Sequence, residues 1–164
     1  MKPLIVVSSK TGNTRIVAHF VADAMGGALC APADLPEDLS GFDPVILGFW
    51  CDRGMAPEDM KAAAPKIAGK RVGCFCTLGG NPEADWAKEW MEKTSKELAG
   101  EKNELVATFV CRGRIDPELI VQMDRMSGKD PSPETVARRR ASETHPDRVD
   151  CQNAADVFTK AFGA

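Results

Sequence analysis

Tyrosine is missing altogether from this chain of 164 residues, histidine occurs twice, and aromatic residues make up 6% of the whole. Long apolar runs are missing as well. The segment Met1-Lys2-Pro3-Leu4-Ile5-Val6-Val7-Ser8 holds four consecutive aliphatic residues before polar ones return, too few for a signal-peptide core or a membrane span. The expected location is therefore cytoplasmic, with no membrane partner. The six cysteines, Cys30, Cys51, Cys74, Cys76, Cys111 and Cys151, are scattered without a Cys-x-x-Cys or a paired Cys/His spacing. That pattern signals neither a zinc site nor a disulfide framework, and it leaves reduced, mostly packed thiols. No metal is expected. A strong excess of one charge is absent too: the net charge of -3 argues against a nucleic-acid binder, and the run Arg138-Arg139-Arg140 reads as a solvated helix face. His19 falls among helical residues and His145 precedes Pro146 in an irregular stretch, so neither stands in a catalytic setting, and no catalytic residue is assigned.

What is present is ordinary globular material, 43% apolar and 27% charged, well away from the composition of a disordered chain. A chain of this length buries roughly 70% of its unfolded surface as one domain, and no linker interrupts residues 1–164. Short β-rich apolar runs alternate with amphipathic stretches from end to end. The strands are expected at Leu4–Ser8, Ala28–Cys30, Val45–Phe49, Val72–Cys76 and Leu105–Cys111. All but the second are nearly continuous in apolar residues, as suits a parallel sheet covered by helices on both faces. Ile16, Val17, Phe20, Val21, Ala24 and Met25 trace one helical face, and Cys151, Ala154, Ala155, Phe158, Ala161 and Phe162 another. Ala56-Pro57-Glu58, Asn81-Pro82-Glu83, Asp116-Pro117-Glu118 and Ser132-Pro133-Glu134 each read as a helix start, with proline at the first helical position and an acid beside the positive dipole end. Asn81, Asp116 and Ser132 would serve as N-caps. Between Ser127 and Asp147 a polar, irregular stretch surrounds one short helix. Repeated β-α units with right-handed crossovers make a three-layer α/β/α sandwich of the doubly wound type.

In open parallel sheets ligands bind beyond the carboxyl ends of the strands, which directs attention to the loop Ser8-Ser9-Lys10-Thr11-Gly12-Asn13-Thr14-Arg15 after the first strand. Hydroxyls, an amide and a glycine at a helix start offer O–H and N–H donors to an anion, reinforced by the helix dipole. Neither the Walker A pattern nor the dinucleotide fingerprint fits, because the loop has a single glycine and Lys10 is not preceded by one. A nucleophilic cysteine of the low-molecular-weight phosphatase kind and an acidic receiver pocket are also absent.

The pattern Ser9-x-Thr11-Gly12-x-Thr14 after an apolar strand resembles the FMN-phosphate loop of flavodoxins. The resemblance runs from Lys2 to about Met126 and on through the last helix, and the unbroken run Leu105–Cys111 is similar to the short-chain type. It implies a five-stranded parallel sheet of order 2-1-3-4-5 and FMN as cofactor, with Ser9, Lys10, Thr11, Gly12, Asn13 and Thr14 holding the phosphate. The ring would lie against Phe49, Trp50, Cys51, Asp52 and Gly54 after the third strand, and Thr77, Leu78, Gly79, Gly80 and Asn81 after the fourth. Trp50 either stacks on the flavin or plugs the top of the sheet, while Phe49 points the other way and suits the core. Many flavodoxins place a second aromatic, a tyrosine, in the fourth-strand loop. Its absence here leaves one ring face less covered unless Leu78 covers it, and the paired glycines would let backbone approach the flavin.

Trp86 and Trp90, four apart on a helix, belong to the core or to a partner surface. Arg53, Arg112 and Arg114 lie on the loops around the presumed ring, where positive charge would raise the flavin potential or bind an anion, against Asp52, Glu83 and Asp85. Lys10 reads as a solvated charge near the phosphate. Cys51 is the one thiol whose placement invites a test of reactivity, and Cys74 and Cys76 face one side of a strand. The expected function is that of an FMN-binding electron-transfer protein, monomeric or weakly dimeric, serving redox partner proteins. The alternative is an FMN-dependent oxidoreductase of NAD(P)H or quinone type, acting on an anionic or aromatic small molecule.

Overall fold

A computed structural model describes residues 1–163. The strands β1 (Lys2–Val7), β2 (Ala28–Cys30), β3 (Phe42–Trp50), β4 (Arg71–Leu78) and β5 (Glu104–Arg112) form one parallel sheet of order β2-β1-β3-β4-β5. Burial follows sheet position. The inner strands β1, β3 and β4 are almost wholly buried, whereas β2 and β5 lie at the edges and stay half-exposed. Alternation sends Leu4, Val6, Val45, Leu47, Phe49, Cys74 and Cys76 to one face, beneath α2 (Glu58–Ala63) and α3 (Asp85–Ala99) through Met60, Met91 and Leu98. Ile5, Val7, Ile46 and Phe75 go to the other face, beneath α1 (Asn13–Met25) and α6 (Arg148–Phe162). Burial on both faces explains why these strands read as unbroken apolar runs.

Several helix expectations are corrected, among them Pro57, which stands in extended backbone at the cap of α2 rather than at its first helical position. On α1 the buried stripe is Thr14, Val17, Ala18, Val21, Ala22 and Met25, so Ile16, Phe20 and Ala24 face outward; small alanines let the helix approach the sheet on a face one residue away from the bulkiest stripe. Ala161 of α6 is likewise exposed. Asn81-Pro82-Glu83 is a turn that precedes α3 rather than its first turn: Asn81 Oδ1 accepts from the Glu83 amide at 3.1 Å and the helix starts at Asp85. The other two side-chain caps hold, with Asp116 starting α4 (Pro117–Ser127) and Ser132 starting α5 (Pro133–Ser142). These two helices stand between β5 and α6 as a hairpin clasped by Arg139 on Asp124 at 2.7 and 3.0 Å. No residue of α4 is buried, and Ser142 alone is buried in α5.

Candidate functional site

The β1 turn leaves the sheet at Ser8, whose amide donates to the Gly48 carbonyl and whose hydroxyl donates to the Asp59 carboxylate at 2.8 and 2.9 Å. Ser8 is thereby committed to the scaffold. Ser9 Oγ accepts from the amides of Gly12 at 3.2 Å and Arg15 at 3.3 Å, folding the turn onto the start of α1. Gly12 completes it at φ 101°, a backbone conformation that a side chain would strain. Among the described residues, the amides of Lys10, Thr11, Asn13 and Thr14 find no acceptor in the protein. Four unpaired N–H groups at one helix start, with the exposed Thr11 hydroxyl beside them, make the donor set that an anion requires.

A shallow cleft of ≈ 140 Å³, open to solvent, lies beside this turn across the carboxyl ends of the strands. Ser9, Lys10, Thr11, Asn13 and Thr14 line it together with Trp50, Cys51, Thr77, Leu78 and Gly79. Thr14 is fully buried and its hydroxyl meets that of Thr77 at 2.8 Å, stitching α1 to β4. One hydrogen of the two hydroxyls makes that bond, so one remains to donate elsewhere. Trp50 is half-buried, and the ammonium of Lys10 lies 5.6 Å from its ring centre. Lys10 is thus not simply solvated: it also stands 3.8 Å from the Asp116 carboxylate.

A model of the flavodoxin domain matches residues 4–159. The chain belongs to the flavodoxin domain family. It is 27% identical over 169 residues to the flavodoxin-like domain-containing protein BilS of Clostridioides difficile strain CD3, covering 98% of this chain and 95% of that protein. Among solved structures it is similar to oxidised Flavodoxin 2 of Bacillus cereus, at TM-score 0.62 and 18% identity over 99% of this chain and 98% of that one. It is also similar to a flavoprotein of Lactobacillus acidophilus NCFM solved in complex with FMN, at TM-score 0.54 and 16% identity over 66% of this chain and 92% of that one.

Not every residue expected around the cofactor of a flavodoxin lines this cleft. Phe49 is buried in the core, its ring edge-on to Trp90 at 6.2 Å, because strand alternation sends it opposite to Trp50. Asp52 closes a tight turn with Met55, and the Gly54 carbonyl is occupied by the Trp90 indole N–H at 2.7 Å. Trp90 therefore serves to anchor the third-strand loop, while Trp86 is half-exposed beside Gly80. The Gly80 carbonyl accepts from Arg112 Nε at 3.2 Å, and Asn81 lines a separate polar cleft with Arg112, Glu134, Thr135 and Arg138. Gly79 does line the main cleft, but the space its missing side chain leaves is filled from within: an added Cβ would sit 2.6 Å from Ile115 Cγ1.

Sequence reasoning missed the segment that fills that space. Gly113, Arg114, Ile115, Asp116 and Leu119, from the β5–α4 connection and the first turn of α4, all line the cleft. The Gly113 amide donates to the Leu78 carbonyl at 2.8 Å, and Asn13 Nδ2 donates to the Arg114 carbonyl at 2.9 Å. Only the arginines at 112 and 114 hinted at this loop, and they part company: Arg114 faces the cleft, Arg112 the neighbouring one.

The Cys51 thiol is pushed up by burial and by Asp52, although the Gly54 amide favours its thiolate. It stays protonated at neutral pH and is no activated nucleophile. Burial raises Cys74 to about 12 and Cys76 well above the ordinary range. His145, Asp147 and Asp150 cluster at the start of α6, where Asp147 and Asp150 cap the helix reciprocally and His145 Nδ1 bonds Asp150. Helix capping accounts for that cluster. No helix among the described residues is long and apolar enough to cross a membrane.

Proposed function

We propose that this chain binds FMN and passes electrons, singly or in pairs, between redox partner proteins in the cytoplasm. The observation that carries the reading is the turn Lys10–Thr14, four unpaired amides at a helix start opening onto a cleft flanked by Trp50. Family membership and the FMN bound by the Lactobacillus acidophilus flavoprotein support it. The amides and the Thr11 hydroxyl would hold the phosphate dianion, with Ser9 keeping the turn in shape. Trp50, Cys51, Thr77, Leu78 and Gly79 would hold the ring system. Bound flavin supplies a one- and two-electron redox centre. The chain's own residues bind it, orient it and set the charge around it: Lys10 and Arg114 would favour an anionic reduced flavin, and Asp116 would oppose it. Reconstitution with FMN should shift the flavin absorbance bands and quench flavin fluorescence; unchanged spectra at saturating protein would sink the reading.

Arg114, exposed and on the cleft wall, supports a second reading in which an anionic small molecule is reduced at the same cleft. Steady-state oxidation of NADH or NADPH with an acceptor, lowered by Arg114→Ala, would favour an enzyme over a carrier.

A further inference from the structure

The loop after β5 crosses the top of β4 and is fastened on both sides. Gly113 bonds Leu78 of β4, Ile115 fills the space above Gly79, and Arg114 accepts from Asn13 of the turn at α1. Asp116, with its carboxylate only 19% exposed, both caps α4 through the Glu118 amide at 2.9 Å and faces Lys10 at 3.8 Å. Lys10 in turn lies over Trp50. A continuous chain of contacts thus runs from the third-strand loop, over the anion-binding turn, to the hairpin.

Resting on the FMN reading, we propose that Gly113–Leu119 is a second wall of the flavin cleft. In it Ile115 and Leu119 cover the ring where an aromatic residue is absent, and the Lys10–Asp116 pair fastens the wall over the mouth. An aliphatic wall excludes water and adds contact area without a π-system. Binding and quenching therefore separate: among the described residues Trp50 is the one aromatic side chain lining the cleft and quenches the flavin, while Ile115 and Leu119 supply affinity and slow release. Leu119 is 40% exposed in the free chain, so contact with a ring would bury surface that is still wet. Asp116 and Lys10 are near the surface, and their pairing acts on the rate of release and is weakened by salt.

The test uses the full chain and FMN, with dissociation constant, release rate and bound-flavin fluorescence as readouts. Leu119→Ala, at an exposed position that leaves the fold alone, should weaken FMN binding about tenfold and keep the quenching. Ile115→Ala should act in the same direction, and Trp50→Leu should restore flavin fluorescence to the bound state. Asp116→Asn preserves the cap on Glu118 yet removes the charge; it should release FMN about two- to fivefold faster at low salt and no faster at high salt. Wild-type affinity and release in both Leu119→Ala and Ile115→Ala, with FMN still bound by the parent chain, would overturn the wall alone. Failure of the parent chain to bind FMN would overturn the FMN reading together with it.

Discussion

The inner strands and the α4–α5 hairpin are built on opposite terms. In β1, β3 and β4 nearly every side chain is buried between two helical layers, while α4 buries none of its residues and leaves Leu119, Val121, Met123 and Met126 exposed by 40% or more. The first region is held by apolar packing and specifies the architecture of its family. The second is held by caps, one bidentate ion pair and the few contacts of its first turn, yet that first turn lines the cleft. A scaffold that packs tightly can carry a loosely attached element at the carboxyl end of its strands, because the strands' stability does not depend on it.

The sharpest contrast should come from truncating the core. Phe158→Ala removes a fully buried ring packed on Phe75 and Phe162 at 6.1 and 6.4 Å and should cost about 3–5 kcal/mol in urea denaturation. Loss of less than about 1 kcal/mol would mean the sheet is not the stabilising region. Next in size, Thr11→Ala should weaken FMN by about 1.5–3 kcal/mol, as for a hydrogen bond to a charged group, measured by fluorescence titration with no shift in melting temperature. Thr14→Ala should instead lower the melting temperature as well, because its hydroxyl is bonded to Thr77 in the buried layer.

Gly79→Ala brings the two regions against each other. The added methyl would collide with Ile115, and overpacking of this kind costs typically ~1–3 kcal/mol. If the hairpin yields instead of the sheet, the cost falls in FMN affinity while urea stability stays near that of the parent.

The smallest effect concerns acid. Asp43 at the sheet is disfavoured as a charge by burial, but the amide and guanidinium of Arg71 outweigh that and hold it below its usual range; hydrogen bonds from Arg139 do the same for Asp124 in the hairpin. A depressed folded value means that each pair stabilises above the ordinary carboxylate pKa of about 3.9 and loses its contribution as pH falls through the depressed value. The protection of amides in residues 117–142, taken relative to the intrinsic exchange rate at each pH, should therefore fall on acidification before that of β3 and β4 does. Asp124→Asn should bring that local loss of protection to neutral pH and leave the melting temperature unchanged.

Much of this division was legible in the residues. Strand positions and the donor-rich turn follow from short-range signals, unbroken apolar runs and a string of donors at a helix start, while the sheet order came from the resemblance to flavodoxins. Missed features depend on where the chain returns. The stripe on α1 lay one residue away because the layer spacing, set by alanines against the sheet, overrides the bulk of Ile16 and Phe20. Asn81-Pro82-Glu83 has the local chemistry of a helix start, but the same asparagine oxygen closes an equally good turn. Phe49 and Trp50 were separable by strand alternation and Asp52 is held in a local turn with Met55, whereas the departures of Gly54 and Gly80 came from tertiary partners, Trp90 and Arg112.

The absence of tyrosine was plain from the composition, and it left the fourth-strand loop without its aromatic. What stands there instead could not be read from that loop. Two glycines look like room for a ligand, but in space Gly79 is room for Ile115, carried there by a connection that crosses β4 from more than thirty residues downstream. By itself the sequence determined the layered sheet and the donor-rich turn before α1, since both rest on periodicity and on groups adjacent along the chain. The second side of the cleft was decided by tertiary structure, because which distant side chain fills a gap depends on packing at the strand ends, where no local repeat constrains the chain.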